Sequence, residues 1–146
     1  MTADFDPSSV TMAADTIHNP AEGRHFMKLR PITRRVRALF GDEVLAESEA
    51  ALRAVEIGRD FYDPVIYFPR DDVVSTLAPS SAARTRCPLK GEASYFDLVD
   101  EGGATKAEKL AWSYERAFDY AARLRGLIAF DPSRATMVEF GRTGDA

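Results

Sequence analysis

Pro64-Val65-Ile66-Tyr67-Phe68-Pro69 is the stretch on which the fold turns. Four β-branched or aromatic residues follow one another between two prolines. A proline ring supplies no backbone N–H and ends a helix, while such side chains suit a pleated, buried surface. The segment therefore reads as a strand. Working upstream, Gly58 to Pro64 reads as a loop. Ala50 to Ile57 can be strand or short helix: Ala51, Leu52 and Ala54 favour helix, Val55 and Ile57 favour strand. The strand that follows tips the reading to strand. Between Arg30 and Phe40, Ile32, Val36, Ala38 and Phe40 share one parity and Arg35 and Arg37 the other, with Arg34 breaking the pattern. A period of two marks a half-buried strand. Gly41-Asp42-Glu43 then forms a turn, and Val44 to Ala46 begins the return strand.

Downstream, Asp71 or Asp72 can N-cap a short helix to about Leu77, stopped at Ala78-Pro79. Ser80 to Arg86 reads as a polar loop and Ala93 to Val99 as a strand. Glu101-Gly102-Gly103 is a tight turn, and Leu110 to Tyr114 another strand. Glu115 to Leu124 reads as a helix, with Phe118, Ala121, Ala122 and Leu124 on one broad face and Gly126 as its C-terminal cap. Leu127 to Phe130 and Thr136 to Phe140 are further strands. The sum is a mainly β or α+β chain: one small domain with one or two short helices. Residues 1–23, with Pro7, Ser8, Ser9, Asn19, Pro20 and Gly23, read as an N-terminal arm that can lie on the body or mediate a homodimer contact. The domain spans residues 24–140, and residues 141–146 are a tail.

The chain has 146 residues, 45% of them hydrophobic and 29% charged, with 19 Lys and Arg against 23 Asp and Glu, a net charge of −4. Those values suit one globular domain and argue against a disordered chain. The mild acidity argues against a general nucleic-acid binder. One cysteine leaves no intramolecular disulfide framework, and two His with one Cys match no zinc spacing. Neither a metal nor a cofactor is expected. Met1 to Val10 has no basic start or apolar run of the secretory type, and no stretch approaches the roughly 20 apolar residues of a membrane helix. The reading is a soluble cytoplasmic protein with Cys87 reduced.

Two segments concentrate chemistry-bearing residues: Tyr67-Phe68-Pro69-Arg70-Asp71-Asp72, and Thr85-Arg86-Cys87-Pro88-Leu89-Lys90-Gly91 with Tyr95 beyond it. Nearby cations favour a thiolate, and Arg86 and Lys90 flank Cys87, so it is either a reactive thiol or a small packed hydrophobe. Lys90 is either an anion or carbonyl contact or a solvated cation. No glycine sits at the upstream position that a phosphate-binding P-loop requires. Arg70 with Asp71 and Asp72 is either an anion clamp with a polar base or a helix cap with a surface ion pair. Tyr67, Tyr95, Trp112 and Tyr114 either line a pocket or pack the core. Lys28, Arg30, Arg34, Arg35 and Arg37 form a basic run, followed from Asp42 to Asp63 by seven acids against Arg53 and Arg59, a balance of −5. Near-cancellation favours strands paired through their solvent faces over a nucleic-acid strip.

Thr85-Arg86-Cys87-Pro88-Leu89-Lys90-Gly91-Glu92-Ala93-Ser94-Tyr95 resembles the T-x-C-P-x-K-G-x-A-x-Y pattern of the bacterial and fungal family known as domain of unknown function 427. Tyr67 to Arg70 with Asp72 resembles its Y-F-P-R-x-D element, and Trp112-Ser113-Tyr114 its W-x-Y element. The likeness runs from Arg35 to about Phe130. It implies a β-tent-like or small barrel-like domain and raises the standing of Cys87, Lys90, Tyr95, Tyr67 and Arg70 as site residues. The paired cysteines by which β-tent relatives hold zinc are absent. A nucleotidyltransferase-type label carried by the family needs metal-holding carboxylates and a triphosphate cradle, which this sequence lacks.

These observations lead to an expected small-molecule-binding domain whose ligand carries an anionic or carbonyl group. Cys87 and Lys90 are its candidate catalytic residues, and Tyr67, Arg70, Asp72, Thr85, Gly91, Tyr95, Trp112 and Tyr114 its candidate ligand contacts. The expectation requires the thiol, the ammonium and the Arg70 guanidinium to share one hollow. The alternatives are a non-catalytic interaction module and a weak nucleic-acid binder acting through Arg34 to Arg37.

Overall fold

The computed structural model describes residues 13–141. In chain order the strands are β1 (Ile17–Asn19), β2 (Glu22–Pro31), β3 (Val36–Phe40), β4 (Glu43–Ser48), β5 (Leu52–Ile57), β6 (Val65–Pro69), β7 (Leu77–Pro79), β8 (Thr85–Cys87), β9 (Gly91–Val99), β10 (Thr105–Ala117), β11 (Leu127–Phe130) and β12 (Thr136–Glu139). Two 3₁₀ turns, Arg70–Asp72 and Asp119–Leu124, complete the described elements. The fold is mostly β with almost no helix, a curled half-barrel sheet in one small domain.

Nine strands form the large sheet in the order β1-β2-β5-β6-β11-β10-β9-β7, with β8 also on β9; β12-β3-β4 form a second sheet. All pairings are antiparallel. The alternation of β6 divides the interior, because successive side chains leave opposite faces of a strand. Phe68 joins Phe96, Leu98, Leu110, Ile128 and Phe130 against Val36, Ala38 and Leu45 of the small sheet. The Phe68 and Phe130 rings meet edge to face at 5.8 Å, a geometry favoured by the ring quadrupoles. Tyr67 belongs to the other face, with Met27, Leu29, Leu89, Tyr114 and Leu124. The curl there is drawn together by Asn19, whose Nδ2 donates to the Pro88 carbonyl at 3.1 Å, joining edge strand β1 to the β8–β9 connection.

Several expectations change. Glu115 to Leu124 is not a helix: Arg116 and Ala117 extend β10 by pairing with Glu92 and Gly91, and only Asp119–Leu124 turns, as 3₁₀. The β9 ladder satisfies those backbone groups before a helix can begin, so tertiary pairing overrides propensity. The helix from Asp71 shrinks to Arg70–Asp72, without a side-chain cap. Asp72 instead accepts the Ser48 hydroxyl at 2.6 Å, and Val73 bridges to Ala46 of β4. Ser80 to Arg86 is not wholly loop, since Thr85 begins β8. Within the stretch read as an arm, Ile17–Asn19 is a sheet strand on β2. Residues 1–12 of that arm and residues 142–146 of the tail lie outside the described residues.

Gly91 marks the start of β9 at φ +115°, where a Cβ would lie 2.6 Å from the Arg116 carbonyl oxygen. Both the dihedral and the backbone of β10 exclude a side chain. Gly91→Ala should therefore lower stability by about 2–3 kcal/mol. Gly41→Ala, at φ +58° with nothing within 4 Å, should lose only about 1 kcal/mol. Urea midpoints compare the two; equal midpoints would refute the close-approach argument.

Candidate functional site

Strand parity carries a carboxylate into the curl. On β5, Glu56 shares the face of buried Ala54; on β2, His25 shares the face of buried Met27 and Leu29. The two polar side chains meet there, His25 Nε2 lying 2.7 Å from Glu56 Oε2. Gly58 lets the imidazole lie against bare backbone, since a Cβ would be 2.8 Å from its Cδ2. Lys90 reaches the same carboxylate from the loop after β8, its Nζ 2.5 Å from Glu56 Oε1, with both side chains 13% exposed. Wholly buried Leu89 anchors that loop.

Around the ammonium stand the aromatic residues of the sequence motifs. Lys90 Nζ is 5.5 Å from the Tyr114 ring centroid and 4.0 Å from Cys87 Sγ. Trp112 Nε1 donates to the Tyr67 hydroxyl at 3.3 Å. Tyr95 lies opposite Trp112 across the β9–β10 ladder, its hydroxyl 2.6 Å from Thr85 Oγ1, and the Lys109 ammonium is 4.3 Å from the Tyr95 ring centroid. Gly91 contributes backbone geometry, as above, and no side-chain contact.

Charge is settled by these partners. Burial alone would raise the Glu56 carboxyl, but hydrogen bonds and charge from Lys90, then His25, outweigh it and hold the group below its usual range. Burial would likewise lower the Lys90 ammonium, yet Tyr114 and Tyr67 once they ionise at alkaline pH, and the Glu56 carboxylate throughout, hold it above its ordinary value. Burial pushes the Tyr114 and Tyr67 phenols upward. At neutral pH the site is an ion pair ringed by neutral phenols. A lysine so held is an electrostatic contact and a hydrogen-bond donor, with no free amine to act as a nucleophile.

The structure thus brings Tyr67, Lys90, Cys87 and Tyr114 together, with Trp112, Tyr95 and Thr85 beside them. It does not bring in Arg70 or Asp72. Arg70 Nη1 pairs with Glu115 at 2.8 Å, with its guanidinium 5.3 Å from the Phe96 ring centroid. Phe96 belongs to the core on the opposite face, so the guanidinium is separated from the thiol and ammonium by the sheet. Sequence reasoning missed His25 and Glu56 as site residues. Their signal was present: an acid and an imidazole on the apolar parity of their strands. Two residues of the basic run are engaged elsewhere: Arg35 and Arg37 both reach Glu47, and both guanidiniums lie within 5 Å of the Phe140 ring centroid. No group of three metal-ligating side chains gathers among the described residues.

An open cleft of about 770 Å³ lies on the outer side of His25, lined by Glu22, Arg24, His25, Gly58, Arg59, Tyr62 and Pro88. His25 is the residue it shares with the Glu56–Lys90 pair.

The sign of the pH dependence follows from the pair. Glu56, shifted down, contributes stability that is complete above the ordinary glutamate pKa of about 4.3 and fades as pH falls through its folded value. Lys90, shifted up, contributes stability that is complete below about 10.4 and fades as pH rises through its folded value. Glu56→Gln leaves a buried ammonium without its counter-ion and should lower stability by about 3 kcal/mol at neutral pH. Glu56→Gln with Lys90→Met should regain part of that loss and flatten both pH limbs. Urea midpoints from acid to alkaline pH test this; a double variant no more stable than the single would refute the pairing.

Comparison with known proteins adds one finding. No curated protein matches the chain. The family model described as "Domain of unknown function (DUF427)" matches residues 28–141, a span that takes in Glu56, Tyr67, Cys87, Lys90, Trp112 and Tyr114. This chain belongs to that family.

Proposed function

We propose that the protein binds a small molecule through a carbonyl or singly charged oxygen at Lys90, Tyr67 and Tyr114. The observation that carries the reading is the supply of hydrogen-bond donors. Lys90 has three N–H groups, of which Glu56 takes one and Cys87 Sγ receives at best a long contact. The Tyr67 oxygen accepts from Trp112, which leaves its proton to donate. The Tyr114 hydroxyl has no hydrogen-bond partner among the described residues. Burial strengthens each donor, because a low local dielectric favours a ligand oxygen over water. Glu56 cancels the lysine charge, so a polyphosphate is a poor match and a neutral carbonyl or carboxylate a good one. Trp112, Tyr95 and half-buried Cys87 supply an apolar wall.

A second reading has its own observation. Cys87 Sγ lies 4.0 Å from the Lys90 ammonium, beside the donors that would hold a ligand oxygen. In that reading the Cys87 sulfur adds to an aldehyde carbon, the C=O π pair moves onto the oxygen held by Lys90 and the tyrosines, and the thiol proton ends on that oxygen, giving a hemithioacetal.

Trp112 is the sole tryptophan, so its emission reports on the wall. Titration with short 2-oxo acids and their amides should give a saturable change, weakened about tenfold or more in Tyr114→Phe or Lys90→Met, one good hydrogen bond being worth that much. No saturable change, and no small molecule carried through purification by native mass spectrometry, would overturn the reading. Covalent capture of an aldehyde probe that disappears in Cys87→Ser would favour the thiol reading.

A further inference from the structure

The cleft outside His25 has a different chemistry from the interior pair. Arg24 and Arg59 are exposed cations on its walls, and Tyr62 and Pro88 are its apolar lining. Tyr62 is 45% exposed, and its neighbour Phe61 is 80% exposed. Two aromatic rings left in water side by side are a feature soluble surfaces avoid unless they meet something. Arg24 is committed to Glu22 through a two-pronged pair, Nε to Oε1 at 2.7 Å and Nη2 to Oε2 at 2.8 Å. Arg59 has no carboxylate within ion-pair distance among the described residues. The cleft volume of about 770 Å³ falls in the range of small-ligand sites, about 300–1,000 Å³.

His25 forms the inner wall. Its Nε2 faces the Glu56 carboxylate, and its Nδ1 has no hydrogen-bond partner among the described residues. The charged groups around the imidazole are Glu22 and Arg24 of β2, Glu56 of β5, with Lys90 behind it, and Arg59 of the β5–β6 loop. Glu22 and Arg24 neutralise one another, as do Glu56 and Lys90, so Arg59 sets the charge that a ligand meets.

We infer that this cleft is a second binding site, for a carboxylate attached to a planar apolar body, its charge held by Arg59 and its ring against Tyr62.

Benzoate is a suitable probe, with benzamide as the uncharged counterpart and acetate as the anion without a ring. Backbone amide shifts of the isotopically labelled full chain report where each binds. Benzoate should shift Gly58, Arg59 and Arg24 and bind about tenfold more tightly than benzamide or acetate, the charge-assisted bond and the ring contact each being worth about that much. Arg59→Gln, an exposed loop change that spares the fold, should weaken benzoate several-fold and leave benzamide unchanged. Benzoate shifts confined to Trp112, Cys87 and Lys90 would overturn the inference while leaving the interior site standing. So would benzamide binding as well as benzoate, or Arg59→Gln binding benzoate as tightly as the unaltered chain.

Discussion

Burying the Glu56 carboxylate sets the terms for the rest of the molecule. A carboxylate taken out of water without partners loses several kcal/mol of hydration free energy. The chain meets this with two nitrogen donors from opposite directions, His25 from the adjacent strand β2 and Lys90 from a connection thirty-four residues further on. Satisfying that one group fixes the path of the β8–β9 loop. The loop in turn sinks Leu89 into the core and presents the Pro88 carbonyl to Asn19 and to the Tyr120 hydroxyl. The curl of the sheet and the arrangement of its polar interior therefore share a cause.

Much of the architecture could be read from local pattern. β6 announced itself between two prolines, and alternation marked β3 and β9, because a strand with two different environments must vary with a period of two. What failed were segments whose local pattern permits two states. Phe118, Ala121, Ala122 and Leu124 do fall on one side of a helix, but Gly91 and Glu92 lay claim to the backbone just before them, and no local rule contains that pairing. Strand β1 was hidden for a similar reason: Ile17 is one apolar residue in a polar stretch, and only β2 gives it somewhere to go.

The site divides along the same line. Tyr67, Cys87, Lys90, Trp112 and Tyr114 were legible because they stand in motifs, and parity then sends Tyr67, Trp112 and Tyr114 to one face. Arg70 stands beside them in sequence, but the 3₁₀ turn after β6 rotates it towards Glu115 and Phe96 on the reverse face. His25 and Glu56 carry no motif, and their meaning lies in which face of the strand they occupy. One carboxylate thus separates two environments: inside, an ion pair of no net charge among phenols; outside, a cationic opening edged with aromatic rings.

The large sheet does not close, which ordinarily leaves backbone donors and acceptors for a stranger to join. Among the described residues its marginal strands, Ile17–Asn19, Leu77–Pro79 and Thr85–Cys87, are three residues each, and prolines stand at their ends, Pro20 just past the first, Pro79 terminating the second and Pro88 directly after the third. A hydrogen-bonded ribbon from another molecule would find almost nothing to copy. The fold can keep an unsealed wall, with its polar interior within reach of solutes, and still resist stacking into fibrils.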